Sequence, residues 1–268
     1  MNRIEEVSAK YSLTYHISYL KYFLKHFDPC GKDILEVGGA LPRELVIDCL
    51  GCNNWTCTES PDYDDELGEA NQQTILSPQK VDHRYSAVMS NIECFDDSHI
   101  GRYDCIFSIA CFEHIARLPE ALEAMYRFLK PGGLLFSAFA PVWSSYAGHH
   151  LMHCKTAEQC GLSSYKEILG PWEHLLKPRY QLHKELTQRF DNAFADEIIY
   201  NTYNSPHINR YFTEDYMEVI YRTRFRVEEF SGTFIDEVPD NMRQALEVAN
   251  PGYKMFANQG ITLRLLKT

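Results

Sequence analysis

The chain has 268 residues, 45% of them hydrophobic, so it is long enough and apolar enough to bury a core. Acidic residues outnumber basic ones by 37 to 26, and the basic residues form no stripe that could follow a phosphate backbone, which disfavours a nucleic acid partner. No apolar run reaches the roughly 18 residues that a membrane span needs, and the chain starts with neither a basic leader nor an apolar signal core. We therefore expect a cytoplasmic protein with no membrane partner.

The first predicted element is an amphipathic helix in the stretch YSLTYHISYLKYFLKHF, residues 11–27. Tyr11, Tyr15, Tyr19 and Phe23 recur every four residues, which is helical periodicity. Aromatic residues at this spacing usually pack in a core. They can also line the mouth of a binding site.

Strand-like and helix-like segments then alternate. The predicted strands are DILEVGG, NWTCTES, YSAVMSN, YDCIFSIAC, LLFSAFAP, FRVEEFSGTF and QGITLRLLKT. The predicted helices include PRELVIDCL, LPEALEAMYRFL (which ends at the stop signal KPGG) and TEDYMEVIYRTR with a threonine cap. Residues 142–212 instead predict aromatic, histidine-bearing helices, KEILGPWEHLLKPRYQLHKELTQRF among them, and no strand. Strands separated by helices imply a parallel sheet with helices on its faces.

A glycine pair follows the first predicted strand, in DILEVGGALPRE, residues 33–44. Glycine lets the backbone approach a cofactor, but the GxGxxG fingerprint of dinucleotide sites is absent. Glu36 is predicted at the carboxyl end of this strand, where open α/β sheets bind ligands, and its carboxylate suits a cationic amino group. Glu59 ends the next strand and is placed to accept hydrogen bonds from ribose hydroxyls.

Taken in order, the segments DILEVGG, CTES, MSNIECF, YDCIFSIACFEHI and LKPGGLLFSAFAP resemble the successive motifs of class I S-adenosylmethionine-dependent methyltransferases. The resemblance covers about residues 30–141. The chain departs from the family's ExGxGxG pattern, because Ala40 and Pro42 stand at the second and third glycine positions, and Asn91 replaces an acid.

The resemblance implies a Rossmann-like α/β fold with a seven-stranded, mostly parallel sheet whose last strand is antiparallel. Residues 1–29 would form an N-terminal helical cap, 30–141 the cofactor-binding core, 142–212 a helical substrate lid insertion, and 213–268 the C-terminal part of the core sheet. The implied cofactor is S-adenosylmethionine.

The resemblance also assigns cofactor contacts by position. These are Glu36, Gly38 and Gly39 at the methionine end, Glu59 at the ribose, Asn91 and Ile92 at the adenine, and Ser108 to Ala110 near the sulfonium. Ser60 is a further cofactor contact, and His114 is either a cofactor contact or a structural residue. Phe112, Glu113 and His114 match the family's hydrophobic-Glu-His run. Since N-terminal helices of this family often cover the cofactor, Tyr15 and Tyr19 are candidate substrate contacts.

Histidines cluster just beyond the fifth predicted strand, in PVWSSYAGHHLMHCK. A neutral imidazole can take a hydroxyl proton during methyl transfer, so we predict His150 as the general base, with His149 as second choice. An exposed loop and a structural role remain open, as does a metal site of His149 and His153 with a carboxylate such as Glu158. The predicted cofactor set contains no metal.

Aromatic residues of the inserted segment are the remaining candidates. Trp143, Tyr146 and Trp172 predict either an apolar substrate pocket or the small core of the inserted lobe. The pair Cys49 and Cys52 lacks the second ligand pair of a zinc site, and the nine cysteines are predicted to be free thiols.

The most consistent function is transfer of a methyl group from S-adenosylmethionine to a small molecule, with a natural-product or sugar hydroxyl favoured and a homodimer possible. Two alternatives stay open. One is a protein of this fold that binds the cofactor without transferring the methyl group or catalyses another reaction, and the other is a nicotinamide-dependent oxidoreductase.

Overall fold

The computed structural model describes residues 3–61, 83–151 and 167–268. Its centre is one seven-stranded sheet in the order β3-β2-β1-β4-β5-β7-β6. The strands are β1 (Asp33–Val37), β2 (Asn54–Glu59), β3 (Tyr85–Met89), β4 (Tyr103–Ile109), β5 (Leu129–Phe139), β6 (Arg226–Ile235) and β7 (Asn258–Leu266). β1 to β5 pair in parallel, whereas β7 pairs antiparallel with both β5 and β6. The predicted mostly parallel sheet with an antiparallel last strand is confirmed.

The central strands are apolar on both faces because helices cover both sides of the sheet. β4 reads YDCIFSI and buries every residue except Asp104, as a strand covered on both faces should. Leu35 of β1 lies between Thr56 of β2 and Ile106 of β4. Because β1, β2 and β4 are parallel, their carboxyl ends meet at one edge of the sheet, and Glu36 and Glu59 lie near that edge.

The described helices are α1 (Arg3–Lys10), α2 (His16–Phe23), α3 (Leu118–Phe128), α4 (Glu173–Leu176), α5 (Arg179–Leu186), α6 (Asn192–Tyr203), α7 (Thr213–Tyr221) and α8 (Asp240–Ala249), with a π-helical segment at Glu44–Cys49. Phe23 of α2 packs against Phe107 and Phe136 on one face of the sheet, at ring-centroid distances of 4.9 and 5.2 Å. α3 and α7 pack on the opposite face. Within the described residues, none of the helices combines the length and apolar composition that crossing a bilayer requires.

The N-terminal helix is shorter than the periodicity predicts. The chain turns at Ser12, whose φ is +55°, and α2 begins only at His16. Tyr11 and Tyr15 therefore precede the helix and are partly exposed, and the Tyr11 hydroxyl donates to Glu44 at 3.2 Å. The continuous helix predicted over residues 11–27 is wrong, because tyrosine spacing alone does not reveal this turn.

Three further elements differ from prediction. The stretch predicted as one long helix divides into α4 and α5 at Pro178, which has no backbone N–H for a continuing helix. Thr213 is the first helical residue of α7 rather than its cap, since Phe212 occupies the cap position. α8 was not predicted, and it begins directly after Pro239.

Candidate functional site

A cavity of about 1090 Å³ opens at the carboxyl edge of β1, β2 and β4. The glycine turn after β1, the end of β2, the residues after β3 and the turn after β4 surround it, and the chain around the start of α2 closes one side. Ligand sites commonly measure about 300–1,000 Å³. The volume therefore suffices for a cofactor and a second small molecule together.

The turn after β1 brings the backbone into close contact with the turn after β4. Gly38 has a φ of +75° and donates its N–H to the Thr58 carbonyl at 2.9 Å. A Cβ added at Gly38 would lie 2.1 Å from the Cys111 Sγ, so the position has no room for a side chain. At Gly39 an added Cβ would lie 2.9 Å from Glu36 Oε1. Both glycines line the cavity, and both are required by their surroundings.

The Glu36 side chain supports this turn through hydrogen bonds. Its Oε2 accepts hydrogen bonds from the Leu41 backbone N–H at 2.9 Å and from the Trp55 indole N–H at 2.7 Å. The Cys57 thiol lies 3.4 Å from the same oxygen. Burial raises the pKa of the Glu36 carboxyl, and these donors act in the opposite direction. Glu36 thus shapes the cofactor turn, in addition to the contact with an amino group that the sequence predicts.

The ends of β2 and β3 bring together the residues predicted for the ribose and the adenine. Glu59, Ser60, Asn91 and Ile92 all line the cavity. Glu59 is buried, and its Oε1 accepts the Ser60 backbone N–H at 3.1 Å. The Ser90 N–H donates to the Glu59 carbonyl at 2.8 Å, which fixes the end of β3 beside the end of β2.

At the end of β4, the side chain of Ser108 is not directed into the cavity as predicted. Ser108 is fully buried and donates to the Val37 carbonyl at 2.8 Å, so it ties β4 to β1 and is not among the residues that line the cavity. Ile109 and Ala110 line it instead, and Ala110 has a φ of +49°. Side chains alternate along a strand, so a shift of one residue changes the face.

Three ionisable side chains meet at the cavity wall in the segments that follow β4 and β5. Glu113, His114 and His150 each place one nitrogen or oxygen atom within 4.8 Å of the other two, and all three line the cavity. The two imidazole centroids lie 5.4 Å apart. Glu113 is 2% exposed, and burial raises the pKa of its carboxyl to about 8. The sequence placed Glu113 in the family's Glu-His run without a role of its own.

His149 points the other way. It is 1% exposed, its Nδ1 accepts the Leu151 backbone N–H at 3.1 Å, and its ring packs against His174 at 5.4 Å. It is not among the residues that line the cavity, and its ring is packed in the protein interior. As the second choice for a base, His149 is therefore poorly placed. The proposed metal partners His153 and Glu158 lie outside the described residues.

The burial of His174, which packs against His149, can be tested through the pH dependence of stability. Burial lowers the pKa of its imidazole to about 4, while the hydrogen bond to the Trp143 carbonyl and the nearby Glu173 act in the opposite direction. An unfolded histidine titrates near 6.5, so between about pH 6.5 and 4 the unfolded chain binds a proton that the folded chain rejects. Stability is therefore lost as pH falls through this window.

We expect the wild-type protein to lose about 3 kcal/mol more of its free energy of unfolding between pH 7 and pH 4 than His174→Gln, which keeps a donor but does not titrate. Urea unfolding at several pH values measures this difference. If the free energy of unfolding falls equally with pH in both proteins, folding does not lower the pKa of His174.

The predicted aromatic substrate contacts separate into two groups. Tyr15 and Tyr19 line the cavity, and burial raises the pKa of the Tyr19 hydroxyl to about 12. Trp143, Tyr146 and Trp172 are not among the lining residues, and they pack in an apolar cluster that also contains residues of the C-terminal part of the chain, Leu246 and Phe256 among them. The Trp172 indole N–H donates to the Phe256 carbonyl at 3.1 Å. These three residues form core, which is the alternative that their sequence pattern left open.

Other lining residues could not be found from sequence. They include His16, Arg117, Pro206, His207 and Phe234, which come from separate segments of the chain. Phe234 has a φ of +52° and its ring lies 6.3 Å from that of Tyr19. No motif marks these positions, since only the fold brings them to the cavity.

The charge of the lining suits a cationic ligand. Four carboxyl groups line the cavity, from Glu36, Glu59, Glu93 and Glu113. Arg117 also lines it and pairs with Glu93 at 3.2 Å. A sulfonium nucleoside fits this electrostatic setting, and the turn at Gly38 and Gly39 lines the same cavity.

A family model described as a methyltransferase domain matches residues 17–216, well over half of the chain. A search of curated proteins gives no significant match.

Among solved structures, a provisionally assigned S-adenosylmethionine dependent methyltransferase from Listeria monocytogenes is 10% identical, with a TM-score of 0.51 over 95% of this chain and 100% of its own. Geranyl diphosphate C-methyltransferase from Streptomyces coelicolor A3(2) is 12% identical, with a TM-score of 0.49 over 100% of this chain and 84% of its own. An S-adenosylmethionine dependent methyltransferase from Mesorhizobium loti is 8% identical, with a TM-score of 0.46 over 90% of this chain and 93% of its own. The chain therefore belongs to the methyltransferase domain family, with the class I fold and S-adenosylmethionine as its cofactor.

Proposed function

We propose that this protein transfers the methyl group of S-adenosylmethionine to a hydroxyl group of a small molecule. The observation that carries the proposal is one cavity lined by two chemically different groups of residues. In this proposal the glycine turn, Glu59 and Asn91 would form the cofactor end, and Glu113 and His150 would form the acceptor end, with His114 reached from both. Methyl transfer needs an acceptor aligned with the sulfonium and shielded from water, which a shared cavity supplies.

The cofactor end is assigned as the sequence predicts. Glu36, Gly38 and Gly39 would hold the methionine portion, Glu59 and Ser60 the ribose hydroxyls, and Asn91 with the Ile92 backbone the adenine. Ala110 and His114 would lie near the sulfonium. These assignments are supported by the common position of all these residues at the cavity wall.

The acceptor end favours a hydroxyl next to an apolar or sugar ring. Tyr15, Tyr19 and Phe234 offer aromatic surface, which binds such rings. His150 has a φ of +57°, and its Nδ1 lies 2.8 Å from the Gly148 carbonyl. Because a carbonyl only accepts, Nδ1 carries the proton of the neutral ring and Nε2 carries the lone pair. That nitrogen can act on an acceptor hydroxyl as a proton acceptor, as the sequence predicts, or as a metal ligand.

The activity is tested by incubating the protein with S-adenosylmethionine carrying a labelled methyl group and a metabolite extract, followed by mass spectrometry. A labelled product with a methyl ether supports the proposal. Calorimetric binding of the cofactor without any labelled product would support a binding protein that does not transfer. NADH serves as the control ligand, and it is expected not to raise the melting temperature.

His150→Ala should lower turnover by about 100-fold or more, since general acid-base or equivalent activation of a hydroxyl contributes at least this much. Cofactor affinity, measured by calorimetry, should stay within about twofold because His150 lies at the acceptor end. His183→Ala is the matched control, since His183 pairs with Asp196 on the surface. Unchanged turnover in His150→Ala would remove His150 from the reaction.

A further inference from the structure

Glu113, His114 and His150 have the composition and spacing of a metal-binding triad. We propose that these three residues bind one divalent transition-metal ion at the acceptor end of the cavity. Their ligand atoms lie within 4.8 Å of one another, and His114 Nε2 is 4.0 Å from Glu113 Oε1. Ligand atoms around zinc lie roughly 3.4 Å apart when the bonds are about 2.1 Å and tetrahedral. Side-chain rotations that shorten these separations by up to about 1.4 Å would complete the site.

Both histidines are already in the tautomer that a metal requires. His114 Nδ1 lies 2.5 Å from the His207 carbonyl, and His150 Nδ1 lies 2.8 Å from the Gly148 carbonyl. A carbonyl oxygen accepts and cannot donate, so each Nδ1 is protonated and each neutral ring has its lone pair on Nε2. Metal-binding histidines are commonly oriented by such a hydrogen bond from the second ring nitrogen.

A bound ion would hold the Glu113 carboxyl in its ionised form, so this residue supplies the negative charge. It is 2% exposed, and within the described parts of the chain its Oε2 has no hydrogen-bond partner. The cavity-lining Arg117 is engaged with Glu93. A buried carboxylate is costly unless it is paired, protonated or bound to a metal. A divalent ion between the carboxylate and the two imidazoles removes this cost.

The donor set selects the class of ion. Two imidazole nitrogens and one carboxylate oxygen suit Zn²⁺, Co²⁺ or Fe²⁺, whereas Mg²⁺ and Ca²⁺ prefer oxygen ligands throughout. Three protein ligands leave at least one coordination position open to the cavity. Among the described residues no other set of three His, Cys, Asp or Glu side chains has this spacing, and Cys49 and Cys52 belong to none.

The open position gives the ion a role that rests on the proposed function. An acceptor hydroxyl bound there becomes more acidic and releases its proton to solvent. The resulting alkoxide oxygen attacks the methyl carbon, the carbon–sulfur bond breaks, and its electron pair stays on sulfur to give S-adenosylhomocysteine. In this arrangement His114 and His150 hold the ion as neutral ligands.

Metal binding is tested without reference to activity. The protein is stripped with a chelator and titrated with Zn²⁺ by calorimetry and with Co²⁺ by visible absorption. We expect one equivalent to bind, with the intense d–d bands of a four- or five-coordinate Co²⁺ site. Glu113→Gln, His114→Ala and His150→Ala should each weaken Zn²⁺ binding by at least 100-fold. His16→Ala is the matched control, since His16 lines the same cavity outside the triad and should keep wild-type affinity.

Circular dichroism melts show whether each variant still folds, so weaker binding by a folded variant reports the loss of a metal ligand. The Co²⁺ spectrum of the wild-type protein tests the site without any variant. The absence of saturable binding to wild-type protein would overturn the site, as would triad variants that bind as tightly as His16→Ala. If no methyl transfer is found for any acceptor, the Zn²⁺ titration still decides the site. If transfer is found, chelation should abolish it and Zn²⁺ or Co²⁺ should restore it, whereas chelator-insensitive turnover would refute the catalytic role.

Discussion

Gly38→Ala should abolish cofactor binding and lower the free energy of unfolding by roughly 2–5 kcal/mol, the sum of a left-handed backbone penalty and the overpacking of a filled site. The added Cβ would lie 2.1 Å from the Sγ and 2.5 Å from the Cβ of Cys111, which is half-buried against the turn. Relief would require the turns after β1 and β4 to separate. Urea unfolding and calorimetry with S-adenosylmethionine measure the two effects.

Gly132→Ala is a close control, because Gly132 has the same φ of +75° and an added Cβ there meets no atom within 4 Å. It should cost only the backbone penalty of about 1–2 kcal/mol and leave cofactor affinity unchanged. Adding Cys111→Ala to Gly38→Ala should not restore binding, because the Cβ of residue 111 remains. Equal destabilisation of the two glycine variants, with intact cofactor binding in both, would contradict the contact with Cys111.

Glu36→Ala should destabilise the protein by roughly 3 kcal/mol or more, because it leaves the Leu41 N–H and the Trp55 indole N–H buried without their acceptor. Glu36→Gln keeps an acceptor oxygen and should stay within about 1 kcal/mol of wild type. Glu36→Ala therefore tests the structural support of the turn, and Glu36→Gln tests the charge of the carboxylate.

Glu36→Gln and the wild-type protein are also compared by their affinity for S-adenosylmethionine. If the Glu36 charge contacts the cofactor amino group, Glu36→Gln should lose about tenfold or more in affinity while its urea midpoint stays near that of wild type. Unchanged affinity in Glu36→Gln would restrict Glu36 to a structural role. A fully stable Glu36→Ala would show that the two donors find other acceptors.

The sequence predicts the parallel part of the sheet and the place of Glu36 and Glu59 at its edge, because both depend on local pattern. Alternating strands and helices imply parallel strands, and parallel strands place Glu36 and Glu59 at one edge wherever the helices pack. This information is contained in segments of a few residues. It does not require knowledge of how distant parts of the chain meet.

The acceptor end depends on distant contacts and on the direction of single side chains. His149 and His150 are adjacent in sequence, but the left-handed backbone at His150 turns one ring to the cavity and leaves the other in the lobe. Gly148 cannot carry a Cβ, which would lie 2.3 Å from the Trp143 carbonyl. Ser108 does not line the cavity, because side chains alternate between the two faces of β4. Glu113 and His150 are far apart in sequence, and only the tertiary fold brings their ligand atoms within 4.8 Å of each other.

Aromatic residues were equally ambiguous. Trp143 and Tyr19 both have apolar and polar neighbours in sequence, and composition gives no reason to place one in a core and the other at the cavity. Burial against Leu175, Ile208 and Phe256 makes Trp143 part of a core. The short turn at Ser12 brings Tyr15 and Tyr19 to the cavity wall instead.

The support of the cofactor turn by Glu36 also explains why two of the family's three glycines are dispensable here. Leu41 is fixed by the carboxylate beneath it, and the Pro42 carbonyl accepts the first bonds of the following π-helical segment, from Leu45 and Val46. Ala40 meanwhile packs against the adjoining apolar cluster. A pattern search that counts glycines would pass over chains of this kind, whereas a search for an acid below the turn and a tryptophan on the neighbouring strand would retain them.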